Sequence, residues 1–522
     1  MQISMLAVAF ALASFTSNAA GAQNGPLFHF METRGPYSVG FRVVEQYDQA
    51  RTYGYRTDVL GKPAKGERAR PMQTLVWYPA TETGSRPMTV GDYGTLWGKE
   101  VNFREPTMLR PALKWLASMK PTLPQTLWAT RDAPQTVGRF PIIIYSPSWS
   151  SVPTPWENAD LCEYLASHGY IVLASPNLGT KSRNITPDVA GIDTQAGDIS
   201  FLIGYAQTLS DSDSSVTAVV GFSWGGIANL FAAARDRRIA ALVALDGSMR
   251  YFPGLVRQAG NVHPEQMTIP LLYFTQADFS IEDRDRLTEV NDTGPNILNA
   301  WTHGDLVTVH MLGLLHEEFG SMYQRSEDMW EAFDDPDSPS YQRADYTRGE
   351  GMIGYGWVAR YTLAFLDAYL KHEALALKFL RNTPAQNGAP KHFMSVAYRT
   401  AKGVPPSFEG FRGEIGRLGF DHSATIYAAM REENADFTLE DGEINSWAEE
   451  LIDDNHSSEA IALLLLNVQI HPASGDAYLD LGDAYKISGQ KELAIDSYRK
   501  SLERDPVFRQ ARGRLEALRG AP

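Results

Sequence analysis

Short apolar segments and helical segments alternate along the middle of the chain, and this alternation limits the possible folds more than any other feature. Segments with the apolar, β-branched character of buried strands lie at residues 73–78, 140–145, 170–174, 216–220, 240–245, 270–274 and 306–309. Helical patterns lie between and after them, at residues 109–119, 158–168, 193–208, 224–235 and 361–380. Apolar strands that alternate with helices predict a mostly parallel sheet with both faces covered.

A different pattern begins near residue 440, where the chain becomes helical throughout. Residues 475–506 carry the residue spacing of the 34-residue tetratricopeptide repeat, and residues 441–472 read as a weaker copy. The pattern of residues 507–518 predicts a closing helix. We therefore predict a small all-α tetratricopeptide domain over residues 440–520.

The rest of the domain organisation follows from composition. Residues 23–381 are predicted to form the α/β domain, and residues 81–138, which are irregular and rich in Pro, Gly and Trp, are predicted to be an insertion in it. Residues 382–439 are predicted to be a linker because they are richer in Gly, Pro and Arg.

The first 22 residues have the pattern of a signal peptide. Residues 3–15 are an apolar run that is too short for a membrane-spanning helix, and residues 20–22 (AGA) match a cleavage site. We expect cleavage after Ala22, a periplasmic or secreted location and no transmembrane anchor.

Charge and cysteine content exclude several classes of function. The formal net charge of −15 argues against a nucleic-acid partner held by general electrostatics. The single cysteine, Cys162, can form neither an internal disulfide nor a cysteine-based metal site, and we interpret it as a small buried residue. No cofactor and no metal are expected.

Residues 221–226 (GFSWGG) carry the chemistry of the chain. They match the G-x-S-x-G pattern, they follow the apolar strand at 216–220 directly, and a helical pattern begins at Trp224. A tight turn between a strand and a helix exposes the serine hydroxyl at a helix N-terminus, where negative charge is stabilised. Ser223 is therefore the predicted nucleophile.

A serine nucleophile needs a histidine base and a carboxylate. In folds that place the serine on such a strand-to-helix turn, the chain order is Ser, then the acid, then His. His316 lies in a loop after the last predicted strand and is the preferred base, with His310 and His303 as alternatives. Asp246 and Asp278 each follow a predicted strand and compete as the acid. Position alone favours Asp278.

The α/β domain resembles the platelet-activating factor acetylhydrolase family of the α/β-hydrolase fold and, more distantly, dienelactone hydrolase-like and chlorophyllase-like esterases. The similarity is carried by residues 35–40 (GPYSVG), 77–79 (WYP), 221–226 (GFSWGG) and 316–319 (HEEF). In that family the acid comes one strand early, in a segment like residues 244–246 (ALD). The resemblance therefore implies Asp246 as the acid, with Asp278 as the alternative.

The oxyanion hole is assigned by position. One backbone N–H should come from Trp224, the residue after the nucleophile, and the other from Trp149 in the loop after the strand at 140–145. The family that the chain resembles has Ser-His-Gly in that loop, whereas this chain has SPSWS at residues 146–150.

These residues predict a serine carboxylic-ester hydrolase that acts on short-acyl or lipid-like esters through an acyl-enzyme. The alternatives are a serine peptidase or amidase of the same fold, and a non-catalytic tetratricopeptide scaffold. The expected partners are a small-molecule ester and, through the tetratricopeptide segment, another protein or a second copy of the chain.

Overall fold

The computed structural model describes residues 27–58, 60–149, 154–277, 296–333, 347–403 and 405–520. The predicted signal peptide, residues 1–22, and the alternative acid, Asp278, lie outside the described residues. The chain divides into two units, one of Met1–Pro264 with Ile269–Ala401 and one of Lys402–Pro522 with Glu265–Thr268.

The first unit is built on one large mixed sheet. Its strands are β1 Ser38–Thr52, β2 Ala69–Ala80, β3 Ala129–Arg131, β4 Phe140–Ser146, β5 Ile171–Ala174, β6 Ser212–Phe222, β7 Ile239–Leu245, β8 Leu271–Thr275, β9 Leu306–Met311 and β10 Met394–Arg399. They lie in the order β10-β9-β8-β7-β6-β4-β5-β2-β1-β3. The central strands from β9 to β5 are parallel, and β10 and β2 join them in antiparallel orientation. All seven predicted strands overlap observed ones.

Helices connect the strands of the first unit and make up most of the second. In the first unit they are α1 Val90–Gly94, α2 Arg110–Ser118, α3 Ala159–Ser167, α4 Val189–Ala206, α5 Trp224–Ala233, α6 Pro253–Gln258, α7 Ile297–Ala300, α8 Glu327–Phe333, α9 Arg348–Leu370 and α10 Ala374–Arg381. In the second they are α11 Phe408–Leu418, α12 Ser423–Glu433, α13 Asp441–Asp453, α14 Ser457–Ile470, α15 Gly475–Ile487, α16 Lys491–Arg504 and α17 Arg509–Gly520.

Burial along β4 shows that both faces of the sheet are covered. Ile142, Ile143 and Ile144 are all fully buried. Because successive side chains of a strand point to opposite faces, three buried residues in a row require packing on each side. Helices α3, α4, α5 and α9 contact strands of the sheet. The predicted class, an α/β-hydrolase fold followed by a small all-α helical segment, is confirmed.

Two segments differ from the sequence-based expectation. The helix expected over residues 361–380 is interrupted after Leu370, because His372 has a φ of 57° and a residue in the left-handed region cannot continue a right-handed helix. The expected linker, residues 382–439, contains β10, which pairs with β9, and the two helices α11 and α12. These three elements are short and half exposed, so they contain few apolar residues and their sequence does not indicate a strand or a helix.

The expected insertion, residues 81–138, contains two short helices and β3. Only β3 joins the sheet, where it pairs with β1. Tyr93 on α1 and Trp97 just after it are buried, so this segment contributes to the core of the first unit. Cys162 on α3 is also buried, with a free thiol.

The second unit consists of paired helices around its own apolar core. α13 and α14 occupy the weaker predicted repeat, and α15 and α16 occupy the stronger one. The core includes Trp447, Leu464, Ala494 and Tyr498, and α11 and α12 contribute Phe411 and Ile426 to it. None of the helices in the described ranges is long and apolar enough to cross a membrane.

Candidate active site

A sharp turn between β6 and α5 positions Ser223. A Cβ at Gly221 would lie 2.5 Å from the backbone of Gly225, and a Cβ at Gly225 would lie 2.1 Å from the carbonyl oxygen of Ser146. Real Cβ atoms do not approach backbone so closely, so only glycine fits at either position. These two contacts are the physical reason for the G-x-S-x-G pattern.

The backbone of Ser223 itself is strained. Its φ of 53° and ψ of −117° lie in a region that non-glycine residues rarely adopt. Three hydrogen bonds hold it there: its N–H donates to the carbonyl of Leu245, and its own carbonyl accepts from the N–H groups of Gly226 and Ser248. The turn presents the hydroxyl at the N-terminus of α5.

His316 lies beside this hydroxyl. It begins a 3₁₀ turn, His316–Phe319, that follows β9. Its Nε2 is 2.9 Å from Oγ of Ser223, and its Nδ1 is 2.5 Å from Oδ2 of Asp246. Nδ1–H therefore donates to the carboxylate, and Nε2 is left to accept the serine proton.

Asp246 follows β7 directly and is fully buried. Its second oxygen, Oδ1, accepts the hydroxyl of Tyr251 at 2.6 Å and the backbone N–H of Gln276 at 3.4 Å. A buried carboxylate is stable only when its oxygens accept hydrogen bonds or pair with a cation. Here both oxygens have donors, which compensate the burial of the carboxylate beside His316.

The pKa of His316 reflects these neighbours. Burial alone lowers it, but the hydrogen bond to Asp246 and the charge of that carboxylate outweigh burial, so the pKa lies above the ordinary value of 6.5. His316 is therefore a stronger base than a free imidazole. It must nevertheless be neutral to accept a proton from Ser223.

The two residues that flank Ser223 carry aromatic rings, and each ring packs against further rings. The ring of Phe222 lies 5.2 Å from that of His316, and the ring of Trp224 lies 5.3 Å from that of Trp149 and 5.5 Å from that of Phe252. Trp149 is about one-third exposed, with 36% of its surface accessible. An aromatic cluster thus lies on either side of Ser223 along the chain.

The two expected oxyanion donors lie on adjacent segments. Trp224 is the first residue of α5, so its backbone N–H has no acceptor within the helix. Trp149 belongs to the loop after β4, and the last residue of that strand, Ser146, packs against the helix at Gly225. Both residues thus lie in segments that border the nucleophile turn.

The structure brings Ser223, His316 and Asp246 together, and it places the alternative bases elsewhere. His310 lies within β9, with its Nε2 3.4 Å from the carbonyl oxygen of Ala277. His303 precedes that strand by three residues. The alternative acid, Asp278, lies outside the described residues.

Two residues of the site were not anticipated. Tyr251, five residues after Asp246 in the chain, donates its hydroxyl to that carboxylate. A tyrosine so soon after an acid at the end of a strand is a local sequence signal for such a partner. Glu157 is fully buried near the loop after β4, where burial raises its pKa to about 7. Its contacts come from the tertiary structure, and no local pattern indicates them.

Among the residues that the structure describes, no three His, Cys, Asp or Glu side chains are grouped so that they could hold a metal ion.

Comparison with known proteins gives three findings. Residues 475–508 match the family model of the tetratricopeptide repeat. No curated protein sequence matches the chain. Among solved structures, a ferulic acid esterase from Streptomyces cinnamoneus is similar, with a TM-score of 0.48 and 16% sequence identity; the match covers 71% of this chain and 99% of that one.

Proposed function

We propose that this protein is a serine carboxylic-ester hydrolase in which Ser223, His316 and Asp246 act as a catalytic triad. The observation that carries the proposal is the unbroken hydrogen-bond chain from Oγ of Ser223 through both ring nitrogens of His316 to buried Asp246. A strained backbone at the serine adds support, because strain of this kind is concentrated at functional sites.

Acylation follows from this geometry. Oγ of Ser223 attacks the ester carbonyl carbon; the new O–C bond forms as the carbonyl electron pair moves onto oxygen and the serine proton passes to Nε2 of His316. Asp246 stabilises the imidazolium. As the tetrahedral intermediate collapses, Nε2 returns the proton to the leaving alcohol oxygen, which leaves an acyl group on the serine.

Deacylation repeats these steps with water. His316 takes a proton from a water molecule, whose oxygen attacks the acyl carbon, and the proton is then returned to Oγ of Ser223 as the acid departs. In both halves the backbone N–H groups of Trp149 and Trp224 are the proposed oxyanion donors. One such donor is worth about 3–4 kcal/mol of transition-state stabilisation.

The substrate class is proposed from the walls of the site and from the resemblance to acetylhydrolase-like esterases. Apolar rings at Phe222, Trp149 and Phe252 suit a short acyl chain or a lipid-like ester better than a charged one. We also propose that the protein is exported, on the signal-peptide pattern of residues 1–22.

The test is turnover of p-nitrophenyl acetate, butyrate and octanoate, with labelling by a fluorophosphonate. Ser223→Ala and His316→Ala should lower kcat by a factor on the order of 10⁶. Ser212→Ala is the matched control: this serine is buried and hydrogen-bonded at the opposite end of β6, so labelling and turnover should persist. The same acyl groups as p-nitroanilides distinguish an ester hydrolase from an amidase.

Each outcome has a defined meaning. Turnover of esters that Ser223→Ala abolishes and Ser212→Ala retains supports the proposal. Comparable turnover of anilides points to the peptidase or amidase alternative. A wild-type protein that neither turns over any ester nor reacts with the fluorophosphonate refutes the esterase, and the scaffold alternative then takes its place.

A second role is proposed for the helical unit, because residues 475–508 match the tetratricopeptide repeat. Repeats of this kind present extended surfaces to other proteins. We propose that this unit binds a protein partner or a second copy of the chain. Sedimentation equilibrium of the full chain tests the second possibility directly, and a monomer at all concentrations would exclude it.

A further inference from the structure

The end of β4 and the start of the loop that follows it, together residues 146–149 (SPSW), lie against the nucleophile turn. The carbonyl oxygen of Ser146 would be only 2.1 Å from a Cβ at Gly225, so the loop packs directly on the first turn of α5. Because an oxyanion donor must sit next to the nucleophile, the orientation of each peptide group in this loop decides whether the loop can supply one.

Two of the loop's peptide groups cannot serve as donors. Pro147 has no N–H. The N–H of Ser148 is already used, because it donates to Oε1 of Glu157 at 2.7 Å, while the hydroxyl of Ser148 donates to Oε2 at 2.6 Å. The next N–H along the loop is that of Trp149.

Asn177 holds the peptide group between Ser148 and Trp149. Its Nδ2 donates to the carbonyl oxygen of Ser148 at 3.1 Å, and Asn177 is itself only 1% exposed. No described peptide bond is cis, and in a trans peptide the C=O and N–H point in opposite directions. By fixing the carbonyl on its own, buried side, Asn177 turns the N–H of Trp149 to the other side of the loop.

Gln195 on α4 holds the preceding peptide group in the same way. Its Nε2 donates to the carbonyl oxygen of Pro147 at 2.7 Å and to Oγ of Ser146 at 3.0 Å. Gln195 is 2% exposed. Two consecutive carbonyls of the loop are thus held by two buried amides that come from different elements.

A small cavity lies behind the loop and is lined by both amides. Its volume is about 10 Å³, which is the space of one water molecule. Oδ1 of Asn177 and Oε1 of Gln195 are buried and accept no hydrogen bond from the described residues.

We propose that Asn177 and Gln195 are positioning residues, which lock the peptide groups of residues 146–149 so that the backbone N–H of Trp149 faces the developing oxyanion. This inference rests on the proposed ester hydrolysis and deepens it. It assigns to two buried amides the work of orienting a loop that lacks the Ser-His-Gly sequence of the acetylhydrolases. A donor that is held in place before the reaction needs no reorganisation in the transition state.

The experiment compares Asn177→Ala and Gln195→Met with Asn387→Ala. Asn387 is the matched control: its Nδ2 also donates to a backbone carbonyl, that of Phe379 at 2.8 Å, at the end of α10. For each variant, kcat and KM are measured with p-nitrophenyl butyrate, and melting temperature is recorded separately. The fourth readout is the inhibition constant of a trifluoromethyl ketone with the same acyl chain.

The ketone reports on the oxyanion hole. Oγ of Ser223 adds to its carbonyl carbon, the carbonyl electron pair moves onto oxygen, and the serine proton passes to Nε2 of His316, so that the adduct carries the oxyanion itself. Its affinity should therefore follow transition-state stabilisation, whereas the KM of the ester follows ground-state binding.

We expect Asn177→Ala and Gln195→Met each to lower kcat by about tenfold to a hundredfold, since a misplaced donor loses part of the 10²–10³ that a whole donor supplies. KM should change by less than about twofold, and the inhibition constant should rise by the same factor as kcat falls. Asn387→Ala should change none of these, even where it lowers the melting temperature.

Other results overturn the inference. If kcat and the inhibition constant of both variants stay at the wild-type values, or if KM alone rises, the amides have no role in orienting a donor. If a variant loses activity only in proportion to its loss of folded protein, its role is structural. If the wild type is inactive toward all esters and unlabelled, the proposed function has failed and this inference falls with it.

Discussion

Strain at the nucleophile can be measured as a difference in stability. Ser223 adopts a φ of 53° and a ψ of −117°, a conformation that costs a non-glycine residue on the order of 1–3 kcal/mol. Ser223→Ala removes the hydroxyl and keeps the strain, whereas Ser223→Gly removes both. The difference in stability between these two variants therefore includes the relief of backbone strain.

The expected magnitude follows from three opposing contributions. Relief of strain favours glycine by about 2 kcal/mol. The greater freedom of glycine in the unfolded chain opposes it by about 0.5–1 kcal/mol, and loss of the buried Cβ opposes it by up to about 0.8 kcal/mol. Ser223→Gly should thus be more stable than Ser223→Ala by about 0.5 kcal/mol.

Ala117 provides the control position. It is exposed on α2 in an ordinary helical conformation, where Ala117→Gly should lower stability by about 1 kcal/mol. The assay is urea unfolding followed by tryptophan fluorescence, because every tryptophan except Trp447 lies in the first unit. If Ser223→Gly is less stable than Ser223→Ala by the amount seen at Ala117, no strain is stored at the nucleophile.

The acid, the base and a buried carboxyl give three further measurable outcomes. Asp246→Asn should lower kcat by about 10⁴ because His316 loses the partner that fixes its tautomer. Tyr251→Phe leaves the carboxylate in place and should lower kcat by only about tenfold. Equal losses of kcat in the two variants would contradict these separate roles. In the wild type, kcat/KM should fall with decreasing pH through the pKa of His316, with a midpoint above 6.5, and a midpoint below that value would exclude the raised pKa. Glu163 lies on α3 and is buried, and its burial raises its pKa from 4.5 to about 8. Its contribution to stability is therefore fully present below pH 4.5 and is lost as pH rises through 8. In urea unfolding, Glu163→Gln should reduce the fall of the free energy of unfolding with pH by up to about 1.4 kcal/mol per pH unit. An unchanged slope would be evidence against the raised pKa of Glu163.

Much of the first unit could be predicted because the signals are local. A strand such as β4 consists of consecutive apolar residues, and the turn at Ser223 needs glycines at fixed positions on either side, so both are visible in a short window of sequence. β10 escaped prediction because an edge strand is covered on fewer sides and its pattern, Met394–Arg399, is only partly apolar. The helix break at His372 was not predicted, because a single residue in the left-handed conformation does not change the periodic pattern of apolar residues.

What the sequence determined by itself was the series of strands and helices, the serine on its turn and the repeats near the C-terminus. Tertiary structure decided which carboxylate meets which histidine, since Asp246 and His316 are brought together only by the order of β7, β8 and β9 in the sheet. It also decided how the loop after β4 is held, by Asn177 and Gln195 from separate elements. Local patterns are set by the near neighbours of each residue, whereas contacts between distant residues depend on how completed elements pack, which no short window of sequence contains.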